Sequence, residues 1–273
     1  MKQRVISGAA CVLVLIVILL FFNTMLLNAA VSVLSAVAVF ELLSAVGLKK
    51  QSPFMICGVA FAFLLPFVSI VGLNDYLLAV FFIAVVLLTL KYHSSQKVEN
   101  IAFMITATLM VSFCFNCIVG LRDSFSKNGL FYIIMVFGGA WFSDTGAFFA
   151  GKFFGKHKMS PVISPKKTVE GAIGGVIVNV LLMCLSAFVY KEIRGAFGIT
   201  VSVNYISLSI LAVFVSLAAM CGDLIASVIK RQMGIKDYGN IIPGHGGIMD
   251  RFDSIMFTAP VIYFITQLID IIG

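Results

Sequence analysis

Charge is what this sequence has least of. Only 11% of its 273 residues are Asp, Glu, Lys or Arg, while 61% are hydrophobic; an ordinary soluble domain carries roughly 25% charged residues. A water-soluble core cannot absorb that much apolar surface, so the surplus must face lipid. Long polar segments are missing as well. No stretch between the apolar runs is long enough for a separate soluble domain, and the chain has no strict internal repeat and no low-complexity segment. There is no aromatic-and-basic stripe suited to nucleic acid, so the formal charge of +7 is read as membrane topology and phosphate binding. Histidine and cysteine build no zinc site. Cys114 and Cys117 form one CxxC without a matching pair, and Cys11, Cys57, Cys184 and Cys221 also lie in apolar runs, whereas structural zinc needs about four ligands. The N-terminus places Lys2 and Arg4 ahead of an apolar run but lacks a clear small-residue cleavage site, so it reads as a retained first span.

What is present is a series of apolar runs, each near the ~20 residues that cross a bilayer as a helix. They fall at 5–22, 25–46, 54–72, 76–90, 100–120, 130–150, 170–190, 203–224 and 254–272, with 76–90 the shortest. The expected fold is therefore all-α, a polytopic integral membrane protein of about nine spans. Placing the N-terminus in the cytoplasm puts fifteen of the 19 Lys and Arg on the cytoplasmic side, Lys49 and Lys50 among them. Only Arg122, Lys127, Lys191 and Arg194 then lie opposite, which satisfies the positive-inside rule. We read residues 1–273 as a single membrane domain. Within it, 1–99 supply scaffold or dimerisation spans, and 100–273 supply the catalytic spans with two long cytoplasmic loops, 151–169 and 225–253. Connections longer than a turn requires tend to carry function.

Acids inside apolar runs are expensive and so are functional candidates. Asp144 lies in Ser143-Asp144-Thr145-Gly146, Asp223 near the cytoplasmic end of the eighth run, Glu41 in the second and Asp270 near the end of the ninth. Asp270 reads as an interfacial carboxylate, and Glu41 is left between pairing within the bundle, a dimer partner and the active site. On a continuing helix Asp223, Ser227 and Lys230 or Arg231 share one face. A glycine-rich turn at 244–247 with His245 follows, then Asp250-Arg251-Phe252-Asp253, whose two acids share one side of a helical turn. Glycines allow backbone amides close to an anion. Carboxylates beside Lys and Arg suit a magnesium ion held by one or two acids plus substrate phosphates, with the cations on the remaining phosphate oxygens. Such positioning and charge neutralisation is most of what phosphoryl-type transfer needs.

The other long loop contains Ser164-Pro165-Lys166-Lys167-Thr168. Ser as N-cap with Pro in first position reads as a helix start. Two lysines in that first turn oppose the helix dipole, and a bound phosphate would reverse the penalty. Gly146 to Lys152 has the spacing of a P-loop, but Phe153 stands where Ser or Thr belongs and no strand precedes it. Gly171 and Gly175 read as helix packing, and His93 and His157 as loop residues.

The stretch from Ser227 to Asp253 closely resembles the signature of the phosphatidate cytidylyltransferase, or CDP-diacylglycerol synthase, family. The positions that carry it are Ser227, Lys230, Arg231, Lys236, Asp237, Gly239, Pro243, His245, Gly246, Gly247, Asp250, Arg251 and Asp253. The segments around Asp144 and Ser164 look similar to that family too, so the likeness covers roughly the last 130 residues. It implies a homodimer in a bacterial inner membrane with its active site on the cytoplasmic side. It also implies CTP and phosphatidate as substrates, CDP-diacylglycerol and pyrophosphate as products, and Mg2+ with room for a second cation. On that basis Asp223 and Asp250 are the principal metal ligands and Asp144 and Asp253 the supporting ones. Lys230 and Arg231 act with Asp223 and Asp250 in catalysis. Ser164, Lys166, Lys167, Thr168, Ser227, Lys236, His245, Gly246, Gly247 and Arg251 bind substrate. The alternatives are the same CTP chemistry on another lipid phosphate, and an ion-coupled transporter, which would place its acids mid-span between inverted repeats.

Overall fold

A computed structural model describes residues 2–48, 52–94, 96–125 and 127–273. Lys49 and Lys50, counted above for topology, lie outside the described residues, and the side chains of Lys2 and Arg4 are not described. The helices are α1 (Lys2–Leu20), α2 (Met25–Ala45), α3 (Pro53–Val71), α4 (Asn74–Lys91), α5 (Val98–Ser124), α6 (Gly129–Phe154), α7 (Val169–Ala196), α8 (Tyr205–Gln232) and α9 (Met249–Leu268). Among the described residues α2 to α8 are long and apolar enough to cross a membrane, and Ser7–Leu20 of α1 is a shorter apolar helix. The protein is an all-α integral membrane protein, with one addition. Strands β1 (Lys158–Ser160) and β2 (Ser164–Thr168) form a two-stranded antiparallel hairpin.

That hairpin corrects the expected helix start at Ser164. Ser164 to Thr168 is extended, and the helix begins at Val169, capped by Thr168, whose hydroxyl accepts from the Gly171 amide at 3.1 Å. Pro165 is tolerated because both strands of a two-stranded sheet are edges. The two lysines therefore lie on a strand, outside any helical turn.

The chain divides into two compact units, residues 1–119 with 232–252, and residues 120–231 with 253–273. This division departs from the split at residue 99, because most of the signature after Arg231 groups with the N-terminal helices. In the first unit α2 packs on α3, and the Asn28 amide donates to the Pro66 carbonyl at 2.6 Å. Phe61 of α3 meets Phe81 of α4 with ring centroids 4.6 Å apart.

The second unit is a four-helix core whose contacts are made through small residues and polar pairs. Lipid tails are as apolar as leucine, so membrane helices associate by close packing and interhelical hydrogen bonds. Gly171 and Gly175 of α7 lie against Ala147 and the Ser143 carbonyl of α6, the packing role expected of them. Ser143 and Ser216 hydroxyls meet at 2.7 Å, the Asn179 amide donates to the Ala212 carbonyl at 2.8 Å, and the Thr258 hydroxyl donates to the Val136 carbonyl at 3.1 Å. Each such bond is worth about 0.6 kcal/mol in a membrane, so register comes from their number. A Cβ on Gly222 of α8 would overlap the Asp253 carbonyl of α9. That approach sets Asp223 beside the start of α9. The P-loop-like segment 146–152 lies within the continuous helix α6, as its rejection requires, and Cys114 and Cys117 are buried free thiols.

Candidate active site

In the second unit, four elements bring charge to one place. Asp144 comes from α6, Asp223 from α8, Asp253 from the second turn of α9 and Lys167 from β2. Lys167 Nζ lies 2.7 Å from Asp223 Oδ2, and the Ser227 hydroxyl approaches Asp223 Oδ1 at 3.4 Å one turn on, as the shared helical face predicts. The Ser254 hydroxyl donates to Asp144 Oδ2 at 3.3 Å, and the Ser254 amide donates to Asp253 Oδ1 at 2.8 Å. Asp144 and Asp253 both lie within electrostatic reach of Asp223, with Lys167 acting on Asp144 and Lys230 on Asp253. Three carboxylates thus gather around the two ammonium groups. The donors are all hard oxygens, which suit magnesium. Among the described residues no three His, Cys, Asp or Glu side chains converge tightly enough to hold an ion by themselves. A magnesium ion here would need substrate oxygens or water to complete its shell.

The strand geometry separates the two lysines. Successive side chains of a strand point to opposite faces, so Lys167 reaches Asp223 while Lys166 is exposed. Thr168 is buried as the cap of α7, and Ser164 is partly exposed at the start of β2. Arg231 donates from Nε to the Ile163 carbonyl at 3.4 Å, which ties the end of α8 to the hairpin turn. Glu170, assigned no role from the sequence, organises this hairpin. Its carboxylate accepts from the amides of Lys156 and His157 and pairs with the His157 ring at 2.6 Å.

In the first unit the segment after α8 folds into a polar cavity of about 510 Å3, lined by Lys236, Asp237, Asn240, His245, Gly246 and Arg251 among others. Gly244 and Gly246 have positive φ (77° and 88°), which L-residues with a Cβ rarely adopt. The turn closes where the Ile242 amide donates to the Gly246 carbonyl at 3.0 Å and Arg251 Nε donates to the His245 carbonyl at 2.8 Å. The Ser7 hydroxyl of α1 meets His245 Nδ1 at 2.8 Å and donates to the Pro243 carbonyl at 3.1 Å. Asp250, expected as a principal metal ligand, directs Oδ2 back to its own loop and accepts from the amides of Tyr238 at 2.8 Å and Gly247 at 3.0 Å. Glu41, left open by the sequence, is buried in this unit against Ile248 and Met249. Asp237 and Asn240, assigned no role from the sequence, line the cavity.

Three comparisons bear on what such an arrangement does. The chain is 33% identical over 277 residues to a phosphatidate cytidylyltransferase of Bacillus subtilis (strain 168), covering 98% of each protein. It is 34% identical over 273 residues to a phosphatidate cytidylyltransferase of Staphylococcus aureus (strain COL), covering 96% of this chain and 97% of the relative. The model of the cytidylyltransferase family matches residues 2–269, nearly the whole length and not only the signature. The chain belongs to the cytidylyltransferase family.

Proposed function

We propose that this protein transfers the cytidylyl group of CTP to the phosphate of phosphatidate, giving CDP-diacylglycerol and pyrophosphate. An oxygen of the lipid phosphate attacks the α-phosphorus of CTP, a new P–O–P bond forms, and the bond to the β-phosphate breaks as pyrophosphate leaves. The lipid supplies its own nucleophile, so no Ser or Cys nucleophile is needed. The observation that carries the reading is the polar cavity of about 510 Å3 that the signature builds in a chain otherwise dominated by apolar residues. Its volume lies within the ~300–1,000 Å3 range of small-molecule sites.

Each unit has a part in this reading. In the first, Lys236 and Arg251 offer cations to the nucleotide's phosphates, with His245 and the Gly246 backbone beside them. In the second, Asp223 is the leading magnesium ligand, with Asp144 and Asp253 supporting it. A bound magnesium ion would draw charge from the phosphate oxygens as the bond to the leaving group breaks. Lys167 holds Asp223 in place and neutralises phosphate charge, and Lys230 opposes the charge of Asp253. Asp250 holds the cavity loop through the two amide bonds to its Oδ2. The active face belongs on the cytoplasmic side of a bacterial inner membrane, where CTP is, and the excess of Lys and Arg in loops of one sidedness supports that placement. Reporter fusions after residues 97 and 160 should report cytoplasm. The homodimer implied by the family resemblance belongs to the same reading, and cross-linking in native membranes tests it.

The deciding assay incubates purified protein with labelled CTP, phosphatidate and magnesium. A labelled CDP-lipid with one equivalent of pyrophosphate is the expected outcome. Pyrophosphate release that ignores phosphatidate but follows another lipid phosphate would replace the lipid substrate, and no CTP turnover with any lipid would overturn the reading.

A further inference from the structure

Glu41 is an acid in a membrane helix to which the proposed reaction assigns no role. It lies near the end of α2, 2% exposed. Its Oε1 accepts from the Ile248 amide at 3.1 Å and its Oε2 from the Met249 amide at 2.8 Å. Those two N–H groups open α9, where a helix has no internal partners for its donors. A buried carboxylate is costly in an apolar segment. Two charge-assisted bonds to amides at the positive end of a helix dipole offset that cost.

The glycines of the cavity loop are fitted to this carboxylate. A Cβ on Gly239 or on Gly247 would overlap the Glu41 carboxyl group. The chain therefore passes Glu41 twice, at Gly239 and at Gly247, on either side of the lining residues Asn240, Gly244, His245 and Gly246. Asp250 fixes the same strip of backbone, since its Oδ2 takes the Tyr238 and Gly247 amides. Three consecutive amides, those of Gly247, Ile248 and Met249, thus end on protein carboxylates. This has a consequence for the ligand. At the N-terminus of α9 an internal anion already takes the amides. Anionic groups of a ligand in the cavity are left to Lys236, Arg251 and His245.

We propose that Glu41 is a positioning residue for nucleotide binding: it pins the loop between Gly239 and Gly247 so that the cavity holds the shape that admits CTP. The proposal rests on the reading that this cavity is the CTP site. It brings α2, which lies in the part read from sequence as scaffold or dimerisation spans and whose Glu41 was left open, into the nucleotide site.

The test is the affinity of purified full-length protein for labelled CTP, measured by equilibrium dialysis without phosphatidate, together with KM for each substrate. The variants are Glu41→Gln, which keeps the size and removes the charge, and Gly239→Ala, which keeps the charge and displaces the loop. Both should bind CTP at least tenfold more weakly and raise KM for CTP by a similar factor, with KM for phosphatidate within twofold of wild type. Glu41→Asp, which keeps the charge but retracts it by one methylene, should recover part of the loss. A general structural defect would move both KM values or the thermal midpoint without selecting CTP. Folded Glu41→Gln or Gly239→Ala protein that binds CTP within twofold of wild type overturns the proposal. Wild-type protein that binds no CTP would instead overturn the reading of the cavity, so the two failures are distinguishable.

Discussion

Two sets of carboxylates, one in each unit, have opposite kinds of partner. In the first, Glu41 and Asp250 face backbone amides, and their partners are Ile248 and Met249 for one and Tyr238 and Gly247 for the other. In the second, Asp223 faces an ammonium group at 2.7 Å, with Asp144 and Asp253 close enough to feel its charge. A carboxylate that accepts from two backbone amides holds the loop that supplies them. A carboxylate paired with an ammonium group beside other acids carries charge that a cation can share. An acid in a membrane helix is thus a functional signal of two kinds, one that shapes a loop and one that carries charge to the reaction. Only the partners distinguish them.

The sharpest way to break this comparison is to neutralise one acid of each kind. Asp223→Asn should lower turnover at saturating substrates by several orders of magnitude, because charge stabilisation at the transferred phosphoryl group is lost. Steady-state rates across a magnesium titration check this, and retention of more than about a tenth of wild-type turnover would contradict it. Asp250→Asn should act mainly on affinity. A hydrogen bond to a charged group is worth about 1.5–3 kcal/mol, so KM for CTP should rise tenfold or more while turnover at saturation recovers most of its value. An Asp250→Asn protein whose rate never recovers at high CTP but does respond to magnesium would return Asp250 to the metal.

Smaller effects refine the second unit. Lys167→Gln should lower kcat/KM by tenfold or more, since one charged contact of about 1.5–3 kcal/mol is removed. Lys166→Gln, on the opposite face of the strand, should change it by no more than a few-fold. Equal losses from the two would contradict the strand geometry of β2. Gly222→Ala should destabilise the protein by about 1–3 kcal/mol, the usual effect of overpacking, because the added methyl overlaps the Asp253 carbonyl. Thermal unfolding in detergent reads that loss, and an unchanged midpoint would show that α8 and α9 do not pass so closely.

What the sequence revealed and what it hid follow from range. Apolar runs report their own helices, so the all-α membrane fold was legible, including the short run that became α4, while among the described residues seven helices are long and apolar enough to cross a membrane. The Asp223 to Lys230 face was legible because helical spacing is local. The hairpin was not, since Ser164-Pro165 serves a helix start and an edge strand equally well, and Thr168 offers a second cap four residues on. Whether Lys166 and Lys167 act together depends on that choice, because a strand separates neighbours that a helical turn would leave closer. Glu41 was visible as an anomaly, but its partners lie 207 and 208 residues away, and no spacing rule reaches that far. Asp250 stood in a recognisable motif, yet a motif does not say whether a carboxylate turns toward its own loop or away from it.

The central claim, that the acids of the two units do different work, is tested most directly by measuring CTP binding and saturated turnover in the same preparations of Asp223→Asn and Asp250→Asn. The account predicts that Asp223→Asn binds CTP within a few-fold of wild type in the absence of magnesium and loses nearly all turnover. It predicts that Asp250→Asn binds CTP at least tenfold more weakly and turns over once saturated. The reverse pattern, with turnover kept in Asp223→Asn or CTP affinity kept in Asp250→Asn, would contradict it.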